Sequence, residues 1–189
     1  ILLMTSYVFA QMFNRPEDLS GEARDKTYDV VHYKIEVSFD EMKKMVIGKT
    51  AITFVTYNSN FTSVEFDAEN MNFKSVTMGK QLLKYDSLGQ TIRIQLDKNY
   101  SFKDTLTVWI EYDCIPKEGV YFIQPDSGYP DKHAQIWTQG EDIDNHHWFP
   151  SWDFPNDKAT SEIIATVRSN YVFVANGKLV SEKENKKNG

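Results

Sequence analysis

Val31-His32-Tyr33-Lys34-Ile35-Glu36-Val37-Ser38-Phe39-Asp40 alternates apolar and polar residues without a break. A period of two sends one set of side chains to a buried face and the other to water, so the stretch predicts a half-buried β-strand. Asp40 to Lys44 is a short polar connection, and Val46 to Tyr57 is again rich in β-branched and aromatic residues, so the pair reads as a hairpin. Working outward, Ser63 to Asp67, Phe73 to Met78, Leu82 to Tyr85, the Ile92, Ile94, Leu96 run and the Leu106, Val108, Ile110, Tyr112 run are all of strand length. They end in turn-forming residues, and no window of helical length carries a 3.6-residue apolar stripe. The expectation is an all-β fold, an antiparallel β-sandwich, rather than an α/β one. Thr160 to Arg168, Tyr171 to Asn176 and Lys178 to Ser181 read as further successive strands. Asn188-Gly189 is a preferred hairpin-turn pair, which points to a partner strand beyond Gly189; a solvated charged tail is the alternative.

Composition narrows the function classes. The chain has 189 residues, 41% hydrophobic and 14% aromatic, enough for one ordinary core. Its formal net charge is -6, and Lys and Arg are spread along it, so no basic face favours nucleic acid or anionic lipid. Cys114 is the sole cysteine, which excludes an internal disulfide or a cysteine-based zinc cluster and leaves it to pack as a small apolar residue. Ile1 to Gln11 is apolar and uncharged, with Val8 and Ala10 placed as the small residues before a signal-peptidase cut. The reading is a signal-peptide remnant at 1–10, a polar lead-in at 11–27 and a β-sandwich at 28–189, with a frayed apolar tail as the alternative for the opening. An exported protein, periplasmic, secreted or surface-associated, is the expectation, without a membrane span, since the opening is too short to cross a bilayer.

Self-contained catalytic motifs are missing. There is no His-Glu-x-x-His, no Gly-x-Ser-x-Gly, no P-loop and no dinucleotide glycine fingerprint. His146 and His147 are adjacent; on a strand they would face opposite ways and would not share a metal, so no metal site is expected. Asp142, Asp144 and Asn145 look like the start of a calcium loop but lack the glycine and distal glutamate of an EF-hand, so they read as a solvated acidic loop. Asn60-Phe61-Thr62 and Asn99-Tyr100-Ser101 match the glycosylation sequon, which has meaning only in a eukaryotic secretory setting.

The segment from Gln135 to Thr160 is longer and more aromatic than an ordinary β connection. Trp137, Trp148, Phe149, Trp152 and Phe154 are too many large rings for solvent, so the segment must pack on a core or a neighbouring domain. Pro150 and Pro155 fix an irregular, extended path. Thr138-Gln139-Gly140-Glu141, Trp148-Phe149-Pro150, Asp153, Pro155 and Lys158-Ala159 together resemble the signature block of the aminopeptidase N family of zinc metallopeptidases. Gly119-Val120-Tyr121-Phe122 resembles the Gly-Leu-Tyr stretch that precedes the block, and the similarity runs over residues 28 to 189. The resemblance implies a saddle-shaped β-sandwich that closes one side of a peptidase active site. It also implies that the zinc, on a His-Glu-x-x-His helix, belongs to a catalytic domain absent from this chain, so that no catalytic residue is expected here.

The same resemblance implies that Glu141 binds the free α-amine of a peptide substrate and that Gln139 lies beside the first side-chain pocket. A separate physical argument supports the first role. A terminal ammonium, with a pKa near ~8, is mostly protonated at neutral pH, and a fixed carboxylate is its natural partner. An exposed pair contributes about 0–1 kcal/mol and shielded charge-assisted hydrogen bonds about 1.5–3 kcal/mol, so Glu141 is effective only when a second domain covers it. The competing reading is a surface glutamate in an acidic loop. Two departures stand out: His146 where relatives have Arg, which removes a permanent charge, and Ser151 where many have Cys. Asp153 and Lys158 are expected to pair structurally within the aromatic segment. The expected partners are peptides with a free N-terminus and the protein's own catalytic domain. A noncatalytic scaffold, an unrelated secreted binding sandwich and a leukotriene-hydrolase-like enzyme stay open as alternatives.

Overall fold

The computed structural model describes residues 25–184. The signal-like opening, most of the lead-in and Asn188-Gly189 lie outside the described residues. The expected hairpin is β1 (Tyr28–Asp40) and β2 (Met45–Thr56), antiparallel from Tyr28↔Thr56 to Asp40↔Met45. After them come β3 (Phe61–Asp67), β4 (Asn72–Met78), β5 (Gln81–Leu82), β6 (Tyr85–Ser87), β7 (Thr91–Tyr100) and β8 (Thr105–Cys114). The chain continues through β9 (Val120–Ile123), β10 (Gln135–Thr138) and β11 (Thr160–Thr166). A six-stranded sheet, in the order β11-β1-β2-β8-β4-β5, faces a three-stranded sheet, β3-β7-β6, and β9 and β10 form a separate hairpin. The all-β sandwich stands.

The core follows from the alternation. Ile52 and Phe54 of β2, Val108 and Ile110 of β8, and Phe66, Ile92 and Ile94 of the smaller sheet are sealed from solvent. Tyr28 lies at the junction: its ring meets Phe54 at 5.5 Å, Phe61 at 6.3 Å, Phe66 at 5.5 Å and Trp152 at 5.3 Å. These edge-to-face contacts join the two sheets to the long segment after β10, with the ring geometry that the aromatic quadrupole favours. Gly48 makes a second close fit, because it pairs with Tyr112 across β2 and β8 and a Cβ there would overlap the Tyr112 ring. The Tyr112 hydroxyl, buried, is 3.2 Å from Thr50 Oγ1.

Three features depart from expectation. The alternation in β1 shifts phase at a bulge between Val30 and His32, which buries Val30 and turns Val31 outward. β11 pairs with β1 in parallel, Ile35 opposite Ile163, in a sheet otherwise antiparallel. Tyr171 to Asn176 and Lys178 to Ser181 are not strands. The Tyr171 hydroxyl donates to Glu41 Oε2 at 2.7 Å, but Val172 is 90% and Val180 93% exposed, and no ladder among the described residues holds these stretches. Composition alone suggested β structure there, and without a neighbouring strand β propensity does not suffice.

Candidate functional site

The segment from Gln139 to Asp157 is built from two halves of different character. It leaves β10 when the Gln139 N–H donates to Gly119 O at 3.0 Å, extending the β9–β10 pairing by one bond. Gly140 has no Cβ where the Asn145 side chain lies against it, and the Asp144 N–H returns to Gly140 O at 3.4 Å. Asn145–His147 then makes a single 3₁₀ turn. In this first half the side chains of Gln139, Glu141 and Asp142 are exposed, and among the described residues neither Glu141 nor Gln139 has a side-chain hydrogen bond or ion pair.

The second half is anchored throughout. Trp148, Phe149 and Trp152 are buried, as their size required, and Phe154 is partly covered. Trp137 is the exception at 43% exposed, stacked on Tyr121 at 4.4 Å. Ser151 and Asp67 exchange backbone hydrogen bonds at 3.0 and 2.8 Å, the Trp152 N–H donates to the Tyr33 hydroxyl at 3.0 Å, and the Asp153 N–H donates to Asp67 Oδ2 at 2.8 Å. At the far end the Val30 N–H donates to Asp157 Oδ2 at 3.1 Å, and Lys26 pairs with Asp157 at 3.0 Å.

Asp153 closes the turn on itself. Its Oδ2 accepts from the His146 backbone N–H at 2.8 Å and meets His146 Nδ1 at 2.8 Å, while Oδ1 accepts from Asn145 Nδ2 at 3.3 Å. The structural partner of Asp153 is therefore His146, whereas the Lys158 side chain is exposed and has no ion pair among the described residues. Burial opposes the imidazolium of His146, but the Asp153 hydrogen bond and the negative charge of Asp153, Asp67 and Glu69 outweigh it and raise its pKa above 6.5. The shift favours the charged form of the ring at the position where the resemblance anticipated an arginine.

The strand premise for the two histidines fails. In the 3₁₀ turn their rings stack at 4.4 Å, and both approach Glu69 Oε2, His146 Nε2 at 3.8 Å and His147 Nδ1 at 3.6 Å. Glu69 is held by Lys117 at 3.0 Å and accepts from Asn70 at 2.7 Å. Burial would raise its pKa, but Lys117 and the two histidines bring it below 4.5. His147 shifts the other way from its neighbour: burial, then repulsion from His146, lowers its pKa. Sequence reading missed Glu69 and Glu118, which come from turns far away in the chain and carry no local motif. Cys114 is buried as expected; burial pushes its thiol up to about 12, and its Sγ lies 3.5 Å from His147 O.

The geometry has relatives. A family model described as the Peptidase M1 N-terminal domain matches residues 30–189. Among solved structures, a mutant M1 zinc metallopeptidase from Deinococcus radiodurans bound to a Tyr-Ser-Ala substrate superposes with a TM-score of 0.72 at 16% identity, covering 85% of this chain and 37% of that one. A second mutant structure, a two-domain M1 zinc metallopeptidase bound to L-tryptophan, also gives 0.72 at 16% identity, covering 86% and 38%. Native leukotriene A4 hydrolase from Saccharomyces cerevisiae gives 0.59 at 13% identity, covering 75% and 24%. The chain thus spans little more than a third of the Deinococcus structure and about a quarter of the yeast one. A search of curated proteins finds no match.

Proposed function

The chain belongs to the Peptidase M1 N-terminal domain family, and on that premise we propose that it is the amino-terminal domain of a zinc aminopeptidase in which Glu141 holds the substrate's free α-amine. The observation that carries the reading is the contrast within one segment. Thr138-Gln139-Gly140-Glu141 leaves β10 with its carboxylate exposed and unpaired among the described residues, a few positions from a turn locked by Asp153. A carboxylate presented from a fixed base loses little freedom when it meets an ammonium, and preorganisation of this kind favours binding. Gln139, just before it, is exposed on the same stretch and is assigned to the wall of the first side-chain pocket.

The 189 residues contain no His-Glu-x-x-His, and the two adjacent histidines are tied to carboxylates in a turn. They do not fit the catalytic zinc, which in this reading is held by the rest of the parent protein, and the chain alone hydrolyses nothing. Its own contribution is to fix the distance between the substrate's amine and the bond cut, so that one residue is released at a time. Its partners are peptides with a free N-terminus and the catalytic domain of the same protein. An exported location rests on Ile1 to Gln11 and is checked by sequencing the mature N-terminus.

The test is Glu141→Ala in the whole protein. A lost shielded, charge-assisted contact corresponds to a fall of roughly ten- to a hundred-fold in kcat/KM for a free-amine peptide, with zinc content and folding intact. An unchanged kcat/KM would return Glu141 to an ordinary surface residue and favour a scaffold role for the domain.

A further inference from the structure

We propose that His147 Nε2, Glu118 and Asp144 form a binding site for one divalent first-row transition cation, with Zn²⁺ as the representative ion. One donor atom from each of the three residues lies within 4.8 Å of the other two. The His147 side chain is only 6% exposed, and its Nε2 is buried without a hydrogen-bond partner. That nitrogen nevertheless faces Glu118 Oε2 at 3.4 Å, close enough for charge contact but misaligned for a hydrogen bond. The separation suits a shared ion: metal bonds of about 2.0–2.1 Å in tetrahedral array set neighbouring donors about 3.3–3.4 Å apart.

The ring's other nitrogen completes the pattern. His147 Nδ1 faces Glu69 Oε2 at 3.6 Å, so a proton on Nδ1 interacts with a carboxylate and leaves the Nε2 lone pair toward Glu118 and Asp144. Metal-ligating histidines are commonly oriented by such a carboxylate on the second nitrogen. In the opposite trio, Glu69 with His146 and His147, Lys117 holds Glu69 at 3.0 Å and His146 Nδ1 is tied to Asp153 at 2.8 Å. It is the unpartnered Nε2 that directs a metal to the side of Glu118 and Asp144. One imidazole with two carboxylates suits zinc or manganese better than calcium, which takes oxygen donors. Glu118 is 46% exposed, which leaves room for water at a further coordination position.

The backbone brings the three together. Gly119, at φ +81, follows Glu118 and packs its bare Cα where any Cβ would overlap the Asp144 carbonyl. The turn between β8 and β9 thus rests directly on the loop that leads into the His147 turn. A bound cation would clamp these two connections, and through the Gln139 to Gly119 bond it would steady the strand exit that presents Glu141.

The experiment is calorimetric titration of Zn²⁺ into the 189-residue chain after chelator treatment, which needs no catalysis and so stands apart from the test of Glu141. Expected are one Zn²⁺ per chain, a rise in melting temperature on binding, and affinity at least about tenfold weaker in Glu118→Gln and in Asp144→Asn. Both substitutions lie outside the buried core, and the metal-free melting temperature should be retained. Absence of saturable Zn²⁺ binding, binding unaffected by both variants, or tighter binding of Ca²⁺ than of Zn²⁺ would each overturn the assignment.

Discussion

The stretch Gln139 to Asp142 and the stretch His146 to Asp153 are neighbours in one motif, yet they differ as a surface differs from a core. In the second, three aromatic rings are buried, and the Asp153 carboxylate accepts from a backbone N–H and an amide and bonds an imidazole. In the first, the side chains of Gln139 and Glu141 point into solvent. A motif that looks uniform as a string therefore divides into an anchor and a presented group. The division predicts that damage to the anchor appears as lost stability, and damage to the presented group as lost recognition.

Trp152→Ala should break the anchor most severely. The ring packs against Tyr28 at 5.3 Å, and its Nε1 donates to Asn156 at 2.8 Å. Truncating a buried aromatic costs about 3–5 kcal/mol, read as a fall in the denaturant midpoint at constant slope. Asp153→Ala comes next, with a loss of about 2–3 kcal/mol, because it leaves the His146 N–H and ring without their acceptor in a buried turn. A core site remote from the motif gives the control: Gly48→Ala should cost about 1–3 kcal/mol through its collision with the Tyr112 ring, while leaving the Glu141 loop untouched.

Proton linkage sharpens the comparison inside the anchor. The pKa of His146 is raised in the folded state, so its contribution is fully present below the unfolded value of about 6.5 and is lost as pH rises through the folded pKa. That of His147 is lowered, so its neutral form supports the fold above about 6.5, and that support is lost as pH falls through the same region and below. Ring-proton NMR titration of the metal-free chain should give the His146 midpoint above 6.5 and the His147 midpoint below it. The reverse order would mean that Asp153 does not hold a charged ring.

Much of this was legible in the sequence, for local reasons. The period-two runs predicted the β1–β2 hairpin and the strands up to β8, and the density of large rings predicted that the aromatic segment packs on a core. What escaped was nonlocal. The bulge that turns Val31 outward depends on pairing with β2, and the parallel place of β11 depends on where the long segment returns the chain. Tyr171 to Asn176 has the composition of a strand but pairs with no strand among the described residues. The stacked geometry of the histidine pair is not legible locally, because it comes from a tight turn held where Asp153 Oδ2 accepts the His146 backbone N–H. Glu69 and Glu118 are ordinary surface letters until the fold brings them to His147.

The smallest stability effect is expected at Glu141, the residue proposed to hold the amine. Glu141→Ala removes an exposed side chain with no partner among the described residues, so the melting curve should match the unmodified chain within about 0.5 kcal/mol. The near-null is informative because Asp153→Ala, twelve residues away in the same motif, should not share it. If Glu141→Ala destabilised the fold as Asp153→Ala does, Glu141 would belong to the anchor, and the separation between holding the loop and presenting a carboxylate would collapse. If stability is kept while recognition of a free amine in the whole protein is lost, the carboxylate is held for a ligand rather than for the fold.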